Sequence, residues 1–424
     1  MLSNDEAKGV EIIMKILSDR EDFEQFSQIV GLTNCERDER WASLMQSYMP
    51  FKTTEYYAHL IARLEEPDRT QVMNIILPPA GVKPFIGRFD PYGNSSYRKK
   101  DTSFLQHKYE KTLLFHVDNF CLSNCQFCYK VNEIRHEKQK TASLDNKLKI
   151  GSAYLKSHPE IDNVLVTGGD PAYLPTKTLI KIFQSFLDGE NVRIVRFATK
   201  CLAFEPLRFL DEELLDFFKK ANAVPGKQIC MITQINHPAE FGGACIQAIG
   251  ELRKAGVQLR GQPAIVKGVN DSVNVLTRLQ RSFMDYAIVA YYLTLFMPVR
   301  GVEQYAVTLD EAFCNIAASK RKLGGLEKKG LVLVSHNYGK VEICGFYPSM
   351  EQPEKIILKW HQIVASVYLP DKLKQLIPTN PEDLLFLNYI KGGMYCLDDV
   401  FKHNNLPYYD SNGDLMLGNK QNEI

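Results

Sequence analysis

Three cysteines fall in one short run, Phe120-Cys121-Leu122-Ser123-Asn124-Cys125-Gln126-Phe127-Cys128-Tyr129. The spacing is C-x3-C-x2-C, with an aromatic residue just before the last cysteine. Thiolates on one loop can hold three corners of a four-iron cluster and leave the fourth iron without a protein ligand. An open metal position is typically catalytic, whereas a closed one is structural. Phe127 is placed to shield such a cluster from water. The competing reading is a zinc knuckle completed by His116 or His136. Either way, the fold must present this loop where a ligand can reach it.

The chain has 424 residues, long for one core, and reads as one large domain with terminal additions. A net charge of +1 gives no general attraction to nucleic acid or an acidic membrane surface. The longest apolar run, Ala287 to Val299, is too short to span a bilayer. The beginning, MLSNDEAKGVEIIMKIL, has no signal-like pattern, so a cytoplasmic protein is expected. The remaining cysteines, Cys35, Cys201, Cys230, Cys245, Cys314, Cys344 and Cys396, are widely spaced. They suggest free thiols in a reducing compartment.

Up to about residue 105 the pattern is helical, as in EIIMKIL and TEYYAHLIARL, with an extended connector over Pro78 to Asp101. From about 107, strands and helices alternate. The expected strands are Thr112–Val117, Asn163–Thr167, Val192–Ala198, Gln228–Ile235, Gln258–Lys267 and Ala287–Phe296, with a last one at Leu331–Ser335. Helices are expected at Thr176–Leu187, Asp211–Lys220, Ala244–Ala255 and Val273–Met284. This alternation implies a parallel sheet with helical crossovers. Too few units are present for a full (β/α)8 barrel, so an α/β partial (β/α)6-type barrel is expected. Its site should lie at the C-terminal strand ends. The expected segments are a helical N-terminal extension over 1–106, the barrel over 107–345 and a small mixed C-terminal extension over 346–424. In the tail, Ile356–Val367 reads as helix and YYDSNGDLML as a turn and short strand.

Val166-Thr167-Gly168-Gly169-Asp170-Pro171 ends the second expected strand, and its glycines allow close backbone approach. Arg196 sits in the apolar strand Ile194-Val195-Arg196-Phe197-Ala198-Thr199 and is expected at its end, where it needs a partner. Asn236-His237-Pro238 follows the fourth expected strand, Gly261-Gln262-Pro263 lies within the fifth and Lys267–Asp271 closes it. All can line a common site or cap helices.

The cysteine loop resembles the signature of the radical S-adenosylmethionine (SAM) superfamily. There the open iron binds SAM, and its cleavage gives a 5′-deoxyadenosyl radical that abstracts hydrogen from a substrate. The ordered set of segments resembles lysine 2,3-aminomutase and its relatives over about residues 40–345. That set comprises His107-Lys108-Tyr109, the cysteine loop, the Gly-Gly-Asp and Ile-Val-Arg segments, Phe204–Arg208, Asn-His-Pro, Gly268–Asp271 and Tyr291-Tyr292. The resemblance implies a [4Fe-4S] cluster on Cys121, Cys125 and Cys128, with the methionine part of SAM on Gly168, Gly169 and Asp170. Arg196 either meets the SAM carboxylate or forms a structural ion pair. It also implies pyridoxal phosphate (PLP) linked as an imine to Lys340, in His336-Asn337-Tyr338-Gly339-Lys340, with its phosphate near Lys108 and Lys111. The reaction implied is a 1,2-amino shift on an amino acid. The implied partners are an electron donor such as flavodoxin or ferredoxin, and a second copy of the chain in a homo-oligomer.

The chain departs from the family's pattern. Only Gly339 remains of the glycines around the PLP lysine. Met297 and Ser335 stand where lysine-specific members carry aspartates for the distal ammonium. Lys130 stands in place of an arginine that grips the substrate carboxylate, without the bidentate fork of that residue. A substrate other than lysine fits these changes. A PLP-free hydrogen-abstracting enzyme of the same lineage and a non-enzymatic metal-binding protein are the alternatives.

Overall fold

The computed structural model describes residues 14–79, 87–93, 97–99, 102–136, 142–364 and 383–416. Parallel strands run Thr112–His116, Asn163–Thr167, Ile194–Thr199, Gln228–Thr233 and Gln258–Gly261, each hydrogen-bonded to the next. The expected fifth strand breaks at Gln262-Pro263 and resumes at Ala264–Ile265. The sixth breaks at Tyr291, between Val289–Ala290 and Tyr292–Leu295. Val289–Ala290 pairs with the first half of the fifth and Tyr292–Leu295 with its second half, so the order carries through the bend. Leu331–His336 adds one more parallel strand beside Tyr292–Leu295. Helices Leu144–Ser157, Thr176–Leu187, Glu212–Asn222, Gly243–Lys254, Val273–Asp285 and Leu309–Arg321 form the crossovers. The protein is a partial (β/α) barrel.

Alternation along the strands decides what faces inward. In Asn163–Thr167, Val164 and Val166 are buried outward, beneath the helices. In Ile194–Thr199, Val195 and Phe197 do the same. The opposite set, including Asn163, Thr167, Arg196 and Ala198, lines the interior. The helices present matching stripes. Thr176–Leu187 buries Leu179, Ile182, Phe183 and Phe186, an i, i+3, i+4, i+7 pattern. Glu212–Asn222 is capped by Asp211, which accepts from Leu214 N at 2.9 Å, and carries acids in its first turn and lysines in its last.

The N-terminal region is helical, as expected, with Arg20–Val30, Asn34–Gln46, Glu55–Ala62 and Asp68–Met73. One part differs. Of EIIMKIL, Ile16–Leu17 is a short strand paired with Thr53–Thr54, and residues 11–13 lie outside the described residues. The two-residue ladder closes the extension on itself.

The tail also corrects the sequence reading. Residues 356–363 are strand, not helix. They belong to Pro353–Ile363, which pairs antiparallel with Gly339–Pro348 and Leu385–Asn388. Ile356, Leu358 and Trp360 are buried, a period of two that packs against Leu397, Val400 and Phe401. Residues 365–367 of the expected helix lie outside the described residues. Tyr408–Tyr409 pairs with Leu415–Met416, giving the expected turn and short strand. Both segment boundaries fall inside strands: 106/107 within Thr102–Tyr109, and 345/346 within Gly339–Pro348. The C-terminal strands thus continue the barrel sheet.

Candidate active site

The cysteine loop leaves the C-terminal end of the first barrel strand and is held from the N-terminal extension. Lys52 O accepts from Asn124 N at 2.9 Å and from Ser123 Oγ at 3.0 Å. Ile75 O accepts from Gln126 N at 2.8 Å, and Met49 O from Gln126 Nε2 at 3.2 Å. These bonds leave the three thiols facing a cavity of about 680 Å3 inside the barrel. Phe127 is buried beside Tyr305, with ring centroids 5.9 Å apart.

Burial pushes all three thiols up, Cys125 to about 12. Lys130 opposes the shift at Cys121, and Lys200 opposes it at Cys125. Among the described residues, the one compact metal-ligand group is His107, His158 and Glu160. There both His107 ring nitrogens are already engaged, by Tyr154 OH and Glu110 O. The His136 side chain lies outside the described residues.

The Gly-Gly-Asp segment adjoins the loop. Gly169 N donates to Asp118 O at 2.6 Å, and Asp170 N to Phe120 O at 2.8 Å. A Cβ on Gly168, whose φ is +143°, would lie 2.2 Å from Asp118 O, and one on Gly169 would lie 1.9 Å from Phe120 O. The glycines are therefore demanded first by the cluster loop's own backbone. The buried Asp170 carboxylate accepts from Ala172 N, Thr199 Oγ1, Lys200 N and Cys201 N, at 3.1, 2.9, 2.7 and 3.1 Å. Burial raises its pKa and those donors hold it back. Asp170 ties the second strand end to the third.

Arg196 is not at a strand end. It is the third residue of Ile194–Thr199 and points into the lower cavity. Its Nε donates to Asn163 Oδ1 at 2.8 Å, and it forms no ion pair among the described residues. Its charge acts on Lys340 rather than on the thiols. Lys340 lies across the hairpin from Ser335 and across the next pair from Gln362. Its Nζ sits over the rings of Tyr292 and Tyr109, at 4.9 and 5.5 Å from their centroids. No hydrogen-bond acceptor or carboxylate meets it among the described residues. Burial, and then the Arg196 charge, lowers Lys340 to about 8. Gly339, with φ +150°, permits the close pairing with Pro353–Ile363, because a Cβ there would lie 2.0 Å from Gln362 O.

Lys108 also lines the cavity, but its Nζ donates to Tyr92 O at 3.1 Å and His336 O at 3.0 Å. Burial lowers it to about 7, and the Lys340 charge adds to that. Lys111 lies in the exposed turn after Tyr109, near Glu110, and does not line the cavity. Lys130 bonds Gly168 O and so joins the cluster loop to the glycines. Ser335 lines the cavity, whereas Met297 is buried against Arg88 outside it.

An Aquifex aeolicus protein provisionally named L-lysine 2,3-aminomutase is 30% identical over 328 residues, covering 77% of this chain and 84% of that one. The chain belongs to the lysine 2,3-aminomutase family of radical SAM enzymes. L-lysine 2,3-aminomutase of Escherichia coli is 29% identical over 210 residues, 49% of this chain and 58% of that one. Among solved structures, SuiB of Streptococcus suis superposes with a TM-score of 0.38 at 11% identity, covering 54% of this chain and 50% of that one. No family model matches the chain. Membership implies a four-iron cluster and SAM. No helix among the described residues is long and apolar enough to cross a membrane.

Within this radical SAM fold, sequence reasoning missed several cavity residues. Asn163, Gln234, His361 and Gln362 all line the site, beside Gln262, which the sequence offers. His361 was hidden by the helical reading of its segment, and it meets Tyr292 OH at 2.9 Å. Lys200 and the fully buried Glu240 form an ion pair at 2.6 Å behind Cys125. His237 takes the capping role, and Asn236 and Asn270 are held in buried turns. His237 caps the turn at Pro238–Glu240, and Asn270 Nδ2 binds Asn236 O at 2.9 Å.

Proposed function

We propose that the protein catalyses an aminomutase-like 1,2-amino shift on a small amino acid, with PLP on Lys340 and radical generation at the cysteine loop. The observation that carries this reading is Lys340: an amine lowered to about 8, facing the cluster cavity, flanked by two tyrosine rings and without a carboxylate partner. A solvated turn lysine has none of these features, whereas a lysine that must act as a neutral nucleophile needs them. The residues fit PLP: Lys340 supplies the amine, Gly339 gives its strand the close approach to the next one, and Lys108 lines the same cavity. PLP bound there would supply the electron sink that lets a substrate radical pass nitrogen to the neighbouring carbon.

In the same reading Cys121, Cys125 and Cys128 hold the cluster, and a flavodoxin or ferredoxin supplies its electron. Gly168 and Gly169 border the SAM pocket. Asp170 keeps that border rigid by joining two strand ends.

The test is to load the anaerobic protein with iron, sulfide and PLP, then reduce with borohydride and map the covalent adduct by mass spectrometry. The adduct is expected on Lys340 and absent in Lys340→Ala. No adduct in the wild type, with SAM cleavage intact, would favour the PLP-free hydrogen-abstracting enzyme instead.

A further inference from the structure

The floor of the cavity carries an unusual charge balance. Arg196 and Lys340 both point into it, close enough for one charge to act on the other. Lys108, Lys130 and Lys200 also line the cavity. Among the described residues the only carboxylate in the lining is Asp170, and four protein donors already bind it. The other cations are committed: Lys108 to two carbonyls, Lys130 to Gly168 O, and Lys200 to Glu240, Gln234 O and Asn236. Arg196 differs. Only its Nε is used, by Asn163, and among the described residues no partner takes its two terminal nitrogens. A guanidinium fixed at Nε presents a preorganised fork that matches a carboxylate in two parallel bonds.

We propose that Arg196, held by Asn163, is the seat of the substrate's carboxylate, and that the substrate is an amino acid whose side chain carries no cation. The inference rests on the amino-acid reading of the site. A distal ammonium would enter a cavity with several cations and, among the described residues, no free carboxylate, and would lose its hydration without compensation. A carboxylate on Arg196 would instead place a negative charge beside Lys340, with the amine of the same molecule within reach of it. The side chain would then extend among the neutral groups Gln262, Gln362 and Ser335. Discrimination arises from the missing acid as much as from the added fork.

The experiment is calorimetric titration of the full chain, loaded with cluster and SAM, with and without PLP. The probes are L-alanine, L-glutamate, L-alaninamide, L-lysine and inorganic phosphate. L-alanine and L-glutamate are expected to bind at least about tenfold more tightly than L-alaninamide or L-lysine. In Arg196→Gln the alanine-to-alaninamide ratio should fall to near one, and Arg196→Lys should restore part of it. Equal binding of L-lysine and L-alanine would overturn the proposal, as would no binding of any amino acid. So would a ratio unchanged in Arg196→Gln. If Arg196→Gln loses affinity only for phosphate and PLP, Arg196 is a phosphate site and the proposal fails. The borohydride adduct separates the two readings. An adduct without carboxylate preference sinks only this inference, whereas carboxylate preference without an adduct sinks only the PLP reading.

Discussion

Gly169 donates its amide to the Asp118 carbonyl at 2.6 Å, which makes the glycine segment a clamp on the cluster loop before it is anything else. A side chain at Gly169 would meet the Phe120 carbonyl oxygen at 1.9 Å, and backbone cannot yield as a flexible side chain can. Gly169→Ala is therefore expected to cost about 2–4 kcal/mol of stability and to reduce bound iron. Iron content and thermal melting measure this. Full iron with weakened SAM binding alone would assign Gly169 to the ligand and not to the loop.

Cys121, Cys125 and Cys128 face one cavity, whose lining also includes the buried Cys201, while Cys245 is buried elsewhere in the core. Replacing any of the first three by alanine should bring iron to background and abolish SAM cleavage. Cys245→Ala should retain both, at a cost of about 1 kcal/mol or less for the small cavity. Loss of iron in Cys245→Ala would refute the three-thiolate assignment.

The rate at which PLP attaches to Lys340 should rise with pH and level off above about 8. Below that value the amine is mostly protonated and cannot attack, so each pH unit lost should cost about tenfold. The stability sign follows from the same shift. The unfolded lysine, at its ordinary 10.5, binds more protons than the folded one between about 8 and 10.5. Lys340 therefore opposes folding fully below about 8, and that penalty fades as pH rises through the window. Stopped-flow absorbance at several pH values checks the rate. A flat profile from pH 6 to 9 would show that Lys340 is not the titrating group.

Asp398, from the C-terminal extension, pairs with Arg88 at 3.1 Å and with His336 Nε2 at 3.3 Å, at the base of the Lys340 hairpin. Although burial disfavours the charge, His336 and Arg88 hold the Asp398 carboxyl below its ordinary pKa. Asp398→Ala leaves a buried guanidinium without its counter-ion and is expected to destabilise the protein by about 3–5 kcal/mol. It should also slow PLP attachment. Denaturant unfolding and the attachment rate test both effects, and an unchanged midpoint would remove the pair from the hairpin's support.

Local patterns in the sequence settle much of this molecule. The cysteine spacing places three thiols on one loop whatever surrounds it. The alternation in Asn163–Thr167 and Ile194–Thr199 sends Val164, Val166, Val195 and Phe197 to the helices and Arg196 to the interior, because successive side chains on a strand face opposite ways. Glycine before Lys340 marks a backbone that other residues resist. Only the tertiary structure decided what those residues meet. Arg196 stands beside Lys340 and Asn163 and not at a strand end, because its depth depends on the register of strands far apart in the chain. Gly168 and Gly169 are required by Asp118 and Phe120, residues of a separate segment. Residues 356–363 are strand because the Gly339–Pro348 edge offers them a ladder, and an apolar run of ambiguous period takes the hydrogen bonds that its neighbours provide.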